Sequence, residues 1–119
     1  MSYIATDPDS ELGKVVGNGH CVAYVKQVSG APASSLWKQG EAVRGNDLPV
    51  GTAIATFQDG RYQNATNGNS HAAIYLSQDS SGIWVYDQWL GQPVHKRLIR
   101  FRGGAGTPNN DGDAYAVVL

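Results

Sequence analysis

Gly17-Asn18-Gly19-His20-Cys21-Val22-Ala23-Tyr24-Val25-Lys26-Gln27-Val28 passes from a glycine turn into a helical pattern within a few residues. Cys21, Tyr24, Val25 and Val28 recur at helical spacing, and Ser29-Gly30-Ala31-Pro32 stops the run. The stretch is rich in β-branched residues, so periodicity rather than propensity carries the helix. It places the only cysteine of the 119-residue chain at a helix start. One cysteine cannot form an internal disulfide, and no second one helps it hold a metal. The role left for it, if it has one, is that of a nucleophile.

Working outward, residues 1–17 read as a partly ordered lead-in in which Leu12, Val15 and Val16 form a short helix. Beyond the cysteine helix, Ser34 and Ser35 are caps for a second helix over 36–43. The character then changes. Strands are expected over 52–57, 71–76, 83–89, 94–101 and 114–119. They are separated by an Asp59-Gly60 turn, an Asn/Gly-rich loop over 61–70, an Asp79-Ser80-Ser81-Gly82 turn and a Gly103–Pro108 loop. Helices first and strands afterwards indicate an α+β fold, N-terminal helices packed on an antiparallel β-meander.

Length and charge narrow the function. Residues 1–119 form a single domain able to bury roughly two-thirds of its unfolded surface, without disulfide, metal or organic cofactor. A net charge of −1 supplies no field for nucleic acid or an anionic membrane. The basic run His95-Lys96-Arg97, continued by Arg100 and Arg102, reads as a solvated strand face or a contact for an acidic partner. The N-terminus lacks the basic start and apolar run of a signal peptide, and no stretch approaches the roughly 20 apolar residues of a membrane helix. The chain is therefore expected to be made in a cytoplasm, where a lone thiol stays reduced.

A thiol attacks as thiolate, and an ordinary cysteine is only a few per cent ionised at neutral pH. Unpaired N–H groups and partial positive charge at a helix N-terminus stabilise that thiolate, and the same amides can donate to an oxyanion. Gly17 and Gly19 would let a substrate approach the backbone. His71 opens a strand after a loop, at an edge near the surface, where its imidazole could serve as base and then acid. His20 is assigned to binding or an oxyanion contact, and His95 to solvent.

A third group should hold the other imidazole nitrogen. If a four-residue turn pairs 78 with 83, strand alternation brings Gln88 to the face of His71. A three-residue loop with a bulge brings Asp87 there instead. A carboxylate stabilises imidazolium better than an amide, which favours Asp87. Trp84, Tyr86 and Trp89 are candidates for the walls of a substrate groove.

Three segments together resemble the NlpC-type and CHAP branches of the papain-like superfamily. Gly19-His20-Cys21-Val22-Ala23-Tyr24-Val25 is similar to the CHAP nucleophile motif, with His20 where many members have glutamine. Leu48-Pro49-Val50-Gly51-Thr52 through Phe57 resembles the proline-glycine entry to the first core strand. Ser70-His71-Ala72-Ala73-Ile74-Tyr75-Leu76 resembles the histidine strand, and Tyr86-Asp87-Gln88-Trp89 falls at the third polar position. The resemblance implies a cysteine amidase or endopeptidase acting on peptidoglycan stem peptides or cross-links. Cys21, His71 and Asp87 (or Gln88) would be its catalytic residues, and Gly19, His20 and Trp89 its oxyanion or substrate contacts.

The chain particularly resembles small amidase effectors delivered between bacteria by type VI secretion. These act in the target's periplasm and are neutralised by an immunity protein. No metal or cofactor is implied, and a monomer is expected. The competing readings are a non-enzymatic wall- or peptide-binding module on the same fold, a phage lysin and a cytosolic hydrolase.

Overall fold

The computed structural model describes residues 2–119; Met1, the first residue of the expected lead-in, lies outside them. Among the described residues, one α-helix, α1 (Cys21–Ser29), precedes six strands: β1 (Gln39–Ala42), β2 (Ala53–Thr56), β3 (Ala72–Gln78), β4 (Gly82–Trp89), β5 (Gln92–Arg100) and β6 (Tyr115–Val118). They form a single antiparallel sheet in the order β1-β6-β2-β3-β4-β5. The expected meander is β2 to β5. β6 returns to the other side of β2, and β1 lies outside it.

Strand alternation sends side chains to opposite faces of the sheet. Ala53, Ala55, Ala72 and Ile74 face α1, where Tyr24 and Val25 are wholly buried against them. The small alanines leave room for a helix to lie close. Ile54, Ala73, Tyr75, Ile83, Val85 and Ile99 fill the opposite face, packed beneath Val43, Tyr115, Leu48 and Phe101. Each fully buried aliphatic or aromatic side chain contributes about 1.5–3 kcal/mol relative to exposure. Among the described residues, no helix is long and apolar enough to cross a membrane.

Two expected helices are absent. Over 36–43, only one 3₁₀ turn (Ser34–Leu36) forms, with no side-chain cap, and the chain then becomes β1. Pairing with β6, Gln39 opposite Val118 and Ala42 opposite Ala116, outweighs a weak helical pattern. Gly40 permits the approach, since a Cβ there would lie 2.9 Å from the Val117 carbonyl oxygen. Ahead of α1, residues 8–14 are turns and bends. Their backbone is claimed by β5, with Gly13 N–H donating to the Val94 carbonyl and Val94 N–H to that of Lys14. Only Val16 of the expected apolar stripe is buried; Leu12 and Val15 are exposed.

Candidate active site

Cys21 is the first residue of α1, with His20 as N-cap in an extended conformation (φ −80°, ψ 155°). The turn before it needs its glycines. Gly17 and Gly19 have φ of +56° and +86°, and a Cβ at Gly17 would come within 3.0 Å of Ala23 Cβ. Gln88 on β4 ties this turn to the sheet. Its Oε1 accepts from Val16 N–H (3.0 Å), and its Nε2 donates to the carbonyls of Val16 (2.9 Å) and His20 (2.8 Å). Gln88 is wholly buried, so these bonds are made out of water and fix where the helix begins.

His71 immediately precedes β3 and is locked to β2: its N–H donates to Thr56 Oγ1, and its carbonyl accepts from Thr56 N–H, both at 3.0 Å. The expectation of an edge near the surface is overturned, because His71 is 5% exposed. It is enclosed by the sheet behind it and by the edge of the Trp89 ring, 6.3 Å away between centroids. His71 Nε2 donates to Asp87 Oδ2 at 2.7 Å, which leaves Nδ1 for Cys21.

A bulge selects Asp87 over Gln88. The turn between β3 and β4 does pair Gln78 with Ile83, the four-residue arrangement that alone would have turned Gln88 toward His71. Between Tyr75 and Ser77 the register slips, so that Tyr75 faces Val85 and Ile74 faces Tyr86. One extra residue, Leu76, exchanges the faces of everything beyond it. Asp87 then lies on the His71 side and Gln88 on the helix side.

Asp87 is wholly buried and surrounded by cationic or ionisable nitrogen groups. Arg97 Nε donates to Oδ2 at 2.7 Å, and His95 Nε2 lies 3.0 Å from Oδ1, at an angle too oblique for a hydrogen bond. His95 is therefore not the solvent-facing residue expected, being the cross-strand neighbour of Asp87. The basic run divides by alternation. His95 and Arg97 turn toward Asp87, whereas Lys96, Arg100 and Arg102 stay exposed.

Protonation follows from these contacts. Burial pushes the Cys21 thiol up, but hydrogen bonding and charge from His71 bring it below its ordinary value, helped by hydrogen bonds from Tyr62 and the Ala72 backbone. Burial pushes His71 down, yet its bonds to Asp87 and Cys21 outweigh this and raise it to about 9. Burial likewise pushes Asp87 up, and His71 and then Arg97 hold it below the usual carboxylate range. The result favours a thiolate beside an imidazolium beside a carboxylate.

This row opens into a cavity of about 440 Å³. His20, Cys21, Tyr62, His71, Trp89 and Arg97 line it, under a rim from the 64–70 loop and Asn109-Asn110. Trp89 is half exposed, with the Arg97 guanidinium 5.2 Å above its ring. Trp84 and Tyr86 are not among the lining residues. Sequence reasoning missed Tyr62, inside a segment read as loop, and Arg97, whose role required the β4–β5 register. The Leu90-Gly91 turn pairs Trp89 with Gln92, but it alone would set Val94 opposite Asp87; a register shift between Asp87 and Trp89 brings His95 and Arg97 to that face. Among the described residues, no cluster of histidine, cysteine and acidic side chains is suited to a metal.

Residues 1–118 match a family described as domesticated amidase effector 2. A type VI secretion amidase effector 2 protein of Salmonella typhi is 45% identical over 117 residues, spanning 87% of each chain. A domesticated amidase effector 2 of Ixodes scapularis is 40% identical over 124 residues, spanning 95% of this chain and 82% of its own. The solved structure of a type 6 secretion amidase effector 2 aligns with a TM-score of 0.83 and 37% identity, over 98% of this chain and 93% of that one.

Proposed function

The chain belongs to the domesticated amidase effector 2 family, and from that membership we propose a cysteine amidase that hydrolyses amide bonds of bacterial peptidoglycan peptides. The observation that carries the reading is the row of Cys21, His71 and Asp87 beside an open cavity, with His71 Nε2 bonded to Asp87 Oδ2 at 2.7 Å. The order of a helix-start cysteine followed by a strand histidine is that of papain-like hydrolases.

The Cys21 thiolate attacks the scissile carbonyl carbon, and the π electrons of the C=O bond move to its oxygen. The Cys21 backbone N–H, at the start of α1, is directed to that oxyanion. His71 holds the proton released by the thiol and passes it to the leaving amine as the C–N bond breaks. Water, deprotonated by His71, then cleaves the thioester and regenerates the thiol. Asp87 fixes the ring of His71 and stabilises its charged form. His20 lines the cavity beside Cys21, Gly19 turns the chain into the helix start without lining it, and Trp89 forms a wall for the peptide.

Residues 1–119 serve as one catalytic domain, monomeric in solution. By likeness to the named type VI effectors, the protein is delivered into the periplasm of a target bacterium by secretion-machine components, and an immunity protein restrains it in the producer. A binding module with an idle thiol is the weaker reading, because hydrogen bonding and charge from His71 favour thiolate against the opposing effect of burial.

The test is incubation of the protein and its Cys21→Ala variant with purified Gram-negative peptidoglycan, followed by mass spectrometry of released muropeptides. New fragments from the native protein alone are expected. Fragments from neither, with the protein folded and its thiol reduced, would overturn the wall-amidase reading.

A further inference from the structure

Tyr62 stands at the reacting sulfur without a part in the nucleophile, base and orienting chain. Its Oη lies 3.6 Å from Cys21 Sγ, and the residue is 8% exposed. The ring is wedged against Trp37, centroids 4.9 Å apart, and Trp37 is pinned by its Nε1 donating to the Pro32 carbonyl at 2.8 Å. Cys21 Sγ is the hydroxyl's one hydrogen-bond partner among the described residues. Burial first, and then the charge of Cys21, keep the phenol protonated well beyond its ordinary range. A fixed, neutral O–H donor therefore faces the nucleophile from the cavity side, opposite no other acceptor.

We infer that Tyr62 is a catalytic residue of this amidase, its hydroxyl and the Cys21 backbone N–H together donating to the oxyanion formed by attack of Sγ. The inference rests on the cysteine-amidase reading of the site. Sulfur is a weak acceptor, and the ground-state contact is long. Attack changes the partner. The Sγ–C bond forms, the C=O π pair moves onto oxygen, and that oxygen lies only two bonds from Sγ, closer to the sulfur than Tyr62 Oη is. The hydroxyl is then placed to meet full negative charge at about 2.7–3.1 Å, the separation an oxyanion donor requires. No proton leaves Tyr62. When the C=O re-forms, the pair returns to the carbonyl, the C–N bond breaks, and the amine departs with the proton from His71. A donor that strengthens only as charge develops lowers the barrier rather than KM.

Tyr62→Phe keeps the ring on Trp37 and removes only the hydroxyl. Two reactions of Cys21 separate its roles: acylation by p-nitrophenyl acetate passes through an oxyanion, whereas alkylation by iodoacetamide does not. Both need the thiolate. The expected result is acylation slowed roughly tenfold or more while alkylation stays within about threefold, with peptidoglycan kcat lowered on the order of 10²-fold at little-changed KM. Equal losses in both reactions would assign the hydroxyl to the thiolate or the fold and overturn the inference; unchanged acylation would overturn it too. Native protein that is acylated by the ester but releases no muropeptides would remove the wall substrate and leave the Tyr62 comparison intact.

Discussion

Asp87 and Gln88 are chain neighbours on β4, both wholly buried, and they serve opposite faces of the sheet by different physics. Asp87 gathers His71, His95 and Arg97, groups that carry or can carry charge. Gln88 gathers backbone groups only, the N–H and C=O of Val16 and the C=O of His20. One face sets which atoms hold protons. The other sets where Cys21 stands. A site that joins a helix to a sheet needs both, and here adjacent residues on one strand supply them.

The largest expected effect comes from the charged face. Asp87→Asn removes the charge that stabilises imidazolium and leaves Arg97 without its carboxylate. Turnover is expected to fall roughly 10³–10⁴-fold, measured as kcat on peptidoglycan against the native protein. Gln88→Leu is expected to cost less, on the order of 10²-fold in kcat, by displacing the start of α1 from His71. It should also lower stability by at least about 1–3 kcal/mol in urea unfolding, because the Val16 groups lose partners away from water. If Gln88→Leu proved as damaging as Asp87→Asn, or left stability unchanged, the division of labour would fail.

That division was only partly open to sequence reading. Cys21 at a helix start followed from the Tyr24, Val25 and Val28 spacing, and the strands of the meander from their β-branched runs and turns. The choice between Asp87 and Gln88 turned on the Leu76 bulge, and Tyr75-Leu76-Ser77 carries no glycine to announce one. The helix expected over 36–43 lost to pairing with β6, a partner more than seventy residues away in the chain. Such pairings are decided by tertiary geometry, which local propensity does not contain. Tyr62 was hidden for a related reason. Its neighbours Arg61, Gln63 and Asn64 are exposed and polar, and its ring joins the core through tertiary packing that includes a tilted contact with Trp37.

Titration sharpens the comparison further. In the proposed role of acid, His71 must hold a proton, so kcat should decline about tenfold per unit as pH rises beyond about 9. Asp87→Asn removes the largest influence raising His71 and should move that limb to lower pH. Gln88→Leu should lower the whole profile and move the limb less than Asp87→Asn does, because only the smaller contribution of Cys21 to His71 is weakened. A shift of the limb in Gln88→Leu as large as that in Asp87→Asn would show that the helix-side face governs protonation equally.

The smallest expected effect is on stability, and it isolates the proton itself. In the unfolded chain, between about pH 6.5 and 8.5, the cysteine is protonated and the histidine is not. In the folded chain the thiol lies below its ordinary value and His71 above, so the proton that nitrogen takes up is offset by the one that sulfur gives up. The two shifts act in opposite senses on the proton count, and the pair gives native stability a shallower slope over that window than His71 alone would. Cys21→Ala breaks the cancellation. His71 still gains from Asp87, so its raised value contributes stability in full below about pH 6.5, lost as pH rises through the folded value. The variant's unfolding free energy should therefore fall with pH more steeply than that of the native protein across this window, by up to about 1.4 kcal/mol per pH unit. Urea unfolding of both proteins at several pH values checks it. Gln88→Leu, whose lost bonds are all to backbone groups, should give a curve displaced from the native one and nearer to it in slope than that of Cys21→Ala. Parallel curves for Cys21→Ala and native protein would mean that His71 and Cys21 exchange no proton on folding, and that the charged face does not set the protonation of the site.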